Sequence, residues 1–312
     1  MTLAERSVLL VAHTGRAEAV AVAEKVSVRL QEAGIGIRLL ADEAAELDIP
    51  GAQRVAPDGS ASTGAEIVVV IGGDGTILRG AELAHSNQTP LLGVNLGHVG
   101  FLAEAEQDDL DVTVDRLVHR AYAVEERLTL DVSVLYDQKV IATGWALNEA
   151  SVEKAARERM LELVVEVDGR PLSRWGGDGV VCATPTGSTA YAFSAGGPVV
   201  WPRVEALVLV PISAHALFAR PLVVAPSSVL AVEVQPETAG TAVLWCDGRR
   251  MVELPEGARV EVSRGTKPIR LARLHSAPFA DRLVAKFGLP VHGWRGAPQR
   301  PGATPPADSP GG

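Results

Sequence analysis

EIVVVIGGDGTILRG, residues 66–80, is the stretch that decides how the chain is read. Ile67, Val68, Val69, Val70 and Ile71 form an unbroken, β-branched apolar run, the pattern of a strand buried on both faces. The run enters Gly72-Gly73-Asp74-Gly75-Thr76, and a helical pattern follows with Ile77, Leu78, Ala81 and Ala84 on one face. Strand, glycine turn and helix is how an α/β protein holds phosphate. Glycines let backbone N–H groups approach an anion, and the helix N-terminus adds partial positive charge. Asp74 is the odd member, because a carboxylate repels phosphate. Three readings stand: a helix cap in a tight turn, a metal ligand, or a group that does chemistry on a hydroxyl.

Working outward, residues 8–12 read as a first buried strand, followed by the polar turn His13-Thr14-Gly15-Arg16. Residues 17–33 read as an Ala/Val/Leu-rich helix stopped by Gly34, and 35–40 as a second strand. Residues 42–64 read as loop with one short helix at most. Beyond the central helix, 91–95 is another strand, then comes Leu96-Gly97-His98-Val99-Gly100-Phe101, and Leu110, Val114, Leu117 and Val118 fall at helical spacing. This alternation predicts a mostly parallel sheet covered on both faces.

The period changes near Tyr122. Leu128, Leu130, Val132, Val134 and Tyr136 alternate with Thr129, Asp131 and Ser133, the mark of a half-buried antiparallel strand. Asp137-Gln138-Lys139 reads as a turn, 140–147 as a returning strand, and Asp168-Gly169 as the hairpin turn closing strand 161–167. Further strands are read at 206–212, 229–235, 242–246, 259–263 and 269–274. The expected fold is an α/β Rossmann-like domain over 1–121 and a mainly β domain over 122–275. Phe279, Leu283, Val284 and Phe287 mark a helix within 276–290, expected to pack back on the first domain because its apolar face needs a partner. The Pro, Gly, Ala and Ser tail, 296–312, is expected to be disordered.

The 312 residues suggest two domains with a core that needs no staples. A net charge of −9 argues against nucleic acid and against docking on a membrane through basic charge. Cys182 and Cys246 form no C-x-x-C, so neither a zinc knot nor a disulfide framework is indicated. The first residues lack a signal-peptide layout, which predicts a cytoplasmic protein. Two nucleotide signatures fail. Leu78 stands where G-x-G-x-x-G needs its third glycine, and Ala81-Glu82 follows Gly80 where a P-loop needs Lys-Ser/Thr. A serine-hydrolase elbow at Ser194 lacks its first glycine.

Two more polar islands remain. Trp145-Ala146-Leu147-Asn148-Glu149 ends a strand in an amide beside a carboxylate, a pair able to fork onto the two hydroxyls of a ribose, or an ordinary polar strand end. Residues 176–197 concentrate glycine and hydroxyl groups: Gly-Asp-Gly opens a short apolar strand, which turns through Thr184-Pro185-Thr186-Gly187-Ser188-Thr189 into a short helix. Exposed amides at such a helix start suit a nucleotide. Tyr191 reads as a base-stacking ring or a plain core aromatic.

Gly72-Gly73-Asp74-Gly75-Thr76, Asn148-Glu149 and Thr184 through Tyr191, in this order and at this separation, resemble the NAD kinases, as do Gly93-Val94-Asn95-Leu96-Gly97 and Phe101. The likeness spans nearly the whole chain, short of the tail after about Arg295. The GGDGT element alone also resembles phosphofructokinases and lipid kinases; TPTGSTAY with a preceding Asn-Glu is far more specific. The resemblance implies phosphorylation of the 2′-hydroxyl of the adenosine ribose of NAD, giving NADP. ATP, or in some bacterial members inorganic polyphosphate, is the donor, with Mg²⁺ on the donor phosphates and a homodimer or homotetramer as the assembly. It makes Asp74 the catalytic base and puts the donor phosphates on the amides of Gly72, Gly73, Gly75 and Thr76. NAD contacts carried over are Gly75, Asn148, Glu149, Asp178, Thr189, Ala190, Tyr191 and Ser194. Asn148 and Glu149 would hold a ribose, Asp178 would lie toward the nicotinamide end, and Thr189, Ala190 and Tyr191 would lie near a base. Arg79 and Arg159 are candidate phosphate ligands or plain surface charges. Gly176 stands where family members often carry a polar or basic residue, and Ala183 where a serine is frequent. The competing classes are a lipid or sugar kinase sharing the GGDGT turn and a non-catalytic dinucleotide sensor.

Overall fold

The structure is a computed structural model that describes residues 6–96, 100–103, 105–106, 110–155, 160–236, 241–275 and 278–291. The first half runs β1 (Ser7–Ala12), α1 (Ala17–Glu32), β2 (Gly36–Leu40), β3 (Gln53–Val55), β4 (Ile67–Ile71), α2 (Asp74–His85), β5 (Leu91–Asn95), β6 (Ala105–Glu106), α3 (Leu110–Val118) and β7 (Ala123–Arg127). The second half runs β8 (Leu130–Tyr136), β9 (Lys139–Ala146), β10 (Glu149–Lys154), β11 (Leu161–Val167), β12 (Arg170–Gly177), β13 (Gly179–Ala183), α4 (Tyr191–Ser194), β14 (Leu207–Ile212), β15 (Leu222–Val224), β16 (Leu230–Val234), β17 (Ala242–Cys246), β18 (Arg250–Leu254), β19 (Arg259–Arg264) and β20 (Ile269–Arg273). A separate unit holds α5 (Phe279–Phe287), which ends on Gly288 in the left-handed conformation, the usual helix stop.

The expected parallel sheet is present, ordered β3-β2-β1-β4-β5-β20-β7 with β6 on β5. All five residues of β4 are buried, as its apolar run requires. Alternate residues face opposite layers: Val69 and Ile71 join Ala19, Ala23, Val26 and Leu30 of α1, whereas Val68 and Val70 join Ile77, Ala81 and Ala84 of α2. Two strands reach this sheet from beyond residue 121. β20 pairs parallel with β5 (Leu271 opposite Leu91) and antiparallel with β7. The 269–274 strand, read with the β half, therefore belongs to the first sheet. Residues 42–64, read as loop and one short helix, contribute the edge strand β3.

The β half stacks two six-stranded sheets, β15-β14-β13-β10-β17-β18 and β12-β11-β16-β19-β8-β9, over one core. The period-two strand alternates between buried and half-buried residues as expected. Asp137, Gln138, Asp168 and Gly169 all take positive φ, which is what two-residue hairpin turns demand.

Candidate active site

In the strand order, β1 connects toward β2 on one side and β4 toward β5 on the other, and α1 and α2 cover opposite faces. The carboxyl ends of β1 and β4 therefore bracket a topological switch point, where α/β sheets hold ligands. A cleft of about 410 Å³ lies there, lined by Ala12, His13, Thr14, Gly15, Arg16, Gly73, Gly75, Thr76, Arg79 and Arg249. His13 N–H donates to the Ile71 carbonyl at 3.0 Å, tying the two strand ends together, and Gly72 N–H donates to the Val94 carbonyl at 3.0 Å. Neither Arg16 before α1 nor Gly73 before α2 caps its helix with a side chain, so both first turns offer amides toward the cleft. Three guanidinium groups, of Arg16, Arg79 and Arg249, line the same space, two of them paired with carboxylates: Arg79 with Asp42 and Glu43, and Arg249 with Glu82.

Gly73, not Asp74, is the N-cap of α2, so the capping reading of Asp74 fails. Asp74 is the first helical residue, and its Oδ1 is buried with no hydrogen-bond partner. A Cβ added to Gly100 would lie 2.5 Å from that oxygen, so a glycine backbone closes over the carboxylate. Arg79 lines the cleft as an anchored group. Its guanidinium lies 2.6 Å from Asp42 and 2.8 Å from Glu43, an ion pair off hydrogen-bond geometry in the second case. Glu43 is 2 % exposed and also accepts from Ala12 N–H at 3.0 Å; burial pushes its carboxyl up to about 7.

The Asn-Glu and TPTGSTAY islands meet. Thr184 Oγ1 donates to the Leu147 carbonyl at 2.6 Å, Thr184 N–H to the Asn148 carbonyl at 2.9 Å, and Gly187 N–H to Thr184 Oγ1 at 3.0 Å. Gly187 passes so close to Asn148 that a Cβ would overlap the Asn148 carbonyl. Asn148 and Glu149 are 8 % and 7 % exposed. The Glu149 carboxylate accepts from Tyr191 N–H, its Oε2 has no partner, and burial with the Asp247 charge pushes it up to about 8. Tyr191 Oη donates to Glu153 at 3.2 Å, and burial with that neighbour pushes the phenol up to about 12. Asp178 sits 2.5 Å from Lys154, which holds its carboxyl below the usual range. Thr189 Oγ1 bonds the Thr186 carbonyl at 3.2 Å, Ala190 is the N-cap of α4, and Ser194 is its exposed last residue. Asn148, Glu149, Asp178, Thr189, Ala190, Tyr191 and Ser194 do not line the 410 Å³ cleft. The candidate site thus has two parts: an arginine-lined cleft and a polar edge around Asn148, Glu149 and the 184–191 turn. Arg159 lies outside the described residues.

Sequence reasoning missed His13 to Arg16 as cleft wall and missed Arg249 and Asp247 altogether. The polar turn after a buried strand was the only signal for the first; Asp247-Gly248 resembles any hairpin turn.

Residues 8–122 match the ATP-NAD kinase N-terminal domain and residues 147–274 the ATP-NAD kinase C-terminal domain. NAD kinase 2 of Streptomyces avermitilis is 63% identical over 295 residues, spanning 94% of this chain and 98% of its own. NAD kinase of Thermobifida fusca is 62% identical over 300 residues, 93% of this chain and 92% of its own. Among solved structures, an NAD kinase of Archaeoglobus fulgidus in complex with ATP has a TM-score of 0.68 at 25% identity, covering 90% of this chain and 98% of its own. Yeast NADH kinase complexed with NADH has a TM-score of 0.83 at 22% identity, covering 91% and 87%, a likeness of fold. With both halves matched in order and nearly two thirds of residues shared with such relatives, the chain belongs to the NAD kinase family.

Proposed function

We propose that this protein transfers the γ-phosphoryl group of ATP to the 2′-hydroxyl of the adenosine ribose of NAD, giving NADP and ADP. The observation that carries this reading is the Asp74 carboxylate, with a buried oxygen that has no partner, beside the cleft of arginines and helix N-termini. The amides of Gly73 and Gly75, the Thr76 side chain, the turn from His13 to Arg16, and Arg79 and Arg249 hold the donor phosphates; the Gly72 and Thr76 amides are already taken by the Val94 and Gly73 carbonyls. Asn148 and Glu149 hold the ribose, with Thr189, Ala190, Tyr191 and Ser194 about the base and Asp178 toward the nicotinamide end. The 2′-oxygen attacks the γ-phosphorus, the bond to the β,γ-bridging oxygen breaks, and Asp74 takes the hydroxyl proton. Phosphoryl transfer has a loose transition state, so alignment and charge neutralisation carry most of the rate. General-base help adds roughly 10²–10⁴-fold.

No cluster of three His, Cys, Asp or Glu that could cage a metal exists among the described residues. The buried, unpartnered Asp74 Oδ1 would serve as a ligand for a Mg²⁺ ion carried in on the donor phosphates. Bound there, the ion neutralises charge on the transferring phosphoryl group. The cleft is lined by alanine, glycine, threonine, histidine and arginine, and its guanidinium groups and uncapped helix starts suit a chain of phosphates as they suit those of ATP. Inorganic polyphosphate therefore fits as a second donor. A cytoplasmic homodimer or homotetramer is the setting that the family resemblance implies. Among the described residues no helix is long and apolar enough to cross a membrane.

The test is NADP formation from NAD with Mg-ATP and with Mg-polyphosphate in parallel. Asp74→Asn should fold as wild type and lose at least about a hundredfold of kcat. Near-wild-type turnover by that variant would remove Asp74 from its role, and an inactive wild type with intact NAD binding would make the protein a sensor.

A further inference from the structure

The turn between β17 and β18 joins the two parts of the site, and none of the motifs above includes it. Asp247 sits in this turn at φ 55, a left-handed conformation that is uncommon for a residue with a side chain, and it is 6 % exposed. A buried carboxylate in such a backbone needs compensation, and its partners supply it. Oδ1 accepts from Asn148 N–H at 2.7 Å, Oδ2 accepts from Leu147 N–H at 3.0 Å, and Asp247 N–H donates to the Glu149 carbonyl at 2.9 Å. Leu147 and Asn148 form the bend between β9 and β10, where no strand partner meets their amides. Asp247 therefore fixes the backbone of three consecutive residues, two through its side chain and the third through its own N–H, and two of the three are those assigned above to the ribose.

The same side chain is tied to the helix that carries Asp74. Arg250 Nη2 lies 2.6 Å from Asp247 Oδ2, and Arg250 Nε lies 3.2 Å from Glu82 of α2, an ion pair off hydrogen-bond geometry. The guanidinium lies over the Trp145 ring, 4.4 Å from its centroid, and Trp145 stacks on His85 of α2 with centroids 3.8 Å apart and planes 11° from parallel. Arg249, which lines the donor cleft, is 3.0 Å from Glu82 as well. Asp74 and His85 are the two ends of α2, a rod about 18 Å long at 1.5 Å per residue. Contacts thus run without a gap from the base, along α2, through Arg250, to the amides of the ribose-holding strand end.

We propose that Asp247 and Arg250 are a positioning pair that holds Asn148 and Glu149 in register with Asp74. The pair touches neither substrate and acts through the strand end and α2. This rests on the phosphoryl-transfer reading above, in which misplacement of a reacting group by about 1 Å costs about 100-fold in rate. An uncharged pair would fill the same space; the planar guanidinium, bonding Asp247 and stacking on Trp145 at once, fixes orientation as well as distance.

The test compares Asp247→Asn, Arg250→Lys and Glu82→Gln with wild type for kcat, KM for each substrate, NAD affinity by calorimetry, and melting temperature. Asp247→Asn turns an amide group toward a backbone N–H and should lower kcat about 30-fold or more, with KM for ATP within about twofold. Arg250→Lys keeps the charge, loses the planar contact, and should fall between the two. Asp247→Asn combined with Glu82→Gln should lose less than the product of the single losses, because both act on one chain of contacts. A lowered melting temperature with unchanged kcat in the folded enzyme would mean a structural role alone and overturn the proposal, as would fully multiplicative losses. Should Asp247→Asn fail to fold, Arg250→Lys and Glu82→Gln, which leave the Asp247 amide bonds in place, decide by the same readouts. An inactive wild type would sink the reaction itself; an active wild type with unaffected variants sinks only this inference.

Discussion

Glu149 is buried where its charge is costly. It is 7 % exposed, one oxygen has no partner, and the neighbouring Asp247 carboxylate repels a second negative charge. Its carboxyl, pushed up from 4.5 to about 8, keeps its proton at neutral pH in the free enzyme. A neutral carboxyl both donates and accepts, which suits a pair of ribose hydroxyls. The sign of the linkage follows. Below 4.5 the folded and unfolded chains hold the same proton; between 4.5 and about 8 only the folded chain holds it, so its stability falls as pH rises, then levels off. Glu149→Gln cannot titrate and escapes that loss. Its melting temperature, measured against wild type by calorimetry, should gain steadily from pH 5 to about pH 8 and then level off. Glu43 shifts in the same direction in both proteins and drops out of the difference. A difference that stays flat with pH would mean that Glu149 is ionised in the folded state.

At the scale of elements, the junction of the 184–191 turn with the β10 strand end depends on one absent side chain. Gly187 packs its α-carbon against the backbone of Asn148, whose carbonyl is already held by Thr184 N–H and cannot retreat. Gly187→Ala should destabilise the protein by about 1–3 kcal/mol, the usual cost of overpacking. It should raise KM for NAD at least about tenfold, because the displaced groups are those proposed to hold the ribose. KM for ATP should stay put, since Gly187 does not line the donor cleft. Steady-state kinetics and a denaturant melt check both; equal shifts in the two KM values would refute the assignment. The sequence showed this turn as part of a specific motif but not why position 187 needs glycine, because that need comes from a backbone 39 residues away. The same limit explains the other gaps. The strand, turn and helix of residues 66–80 were legible because each part is local. The Asn-Glu and TPTGSTAY islands were legible as chemistry. Arg249 was not, since its place in the cleft depends on a strand pairing and an ion pair to Glu82. Short edge strands such as β3 and β15 carry too few residues to show a period. The 269–274 strand was found but placed in the β half, because period two tells which residues are buried and not which sheet a strand joins.

At the scale of the molecule, that strand makes the two halves one folding unit. β5 needs β20 as its neighbour, and β20 is reached only after the whole β half has been traversed. The layer beneath α2 is likewise shared: Leu147, Ile269 and Leu271 pack with Ile77, Ala81 and Leu91. Residues 1–121 alone lack β7, β20 and these three side chains. Each large apolar side chain contributes about 1.5–3 kcal/mol when buried, so the three together supply roughly 5–9 kcal/mol. That is comparable to the whole stability of a typical domain, about 5–15 kcal/mol. The fragment also exposes the β5 edge, an invitation to pair with another chain. Expressed alone, residues 1–121 should therefore aggregate or melt without a cooperative transition, whereas residues 1–275 should melt cooperatively. Circular dichroism on both fragments decides. A sharp, reversible melt of 1–121 would show that the α/β half stands by itself, and the register between Asp74 and the ribose-holding strand end would then depend on docking two independent bodies. In the shared sheet that register is set by strand pairing and a common core, so Asp74 and the strand end proposed to hold the ribose are aligned when the chain folds.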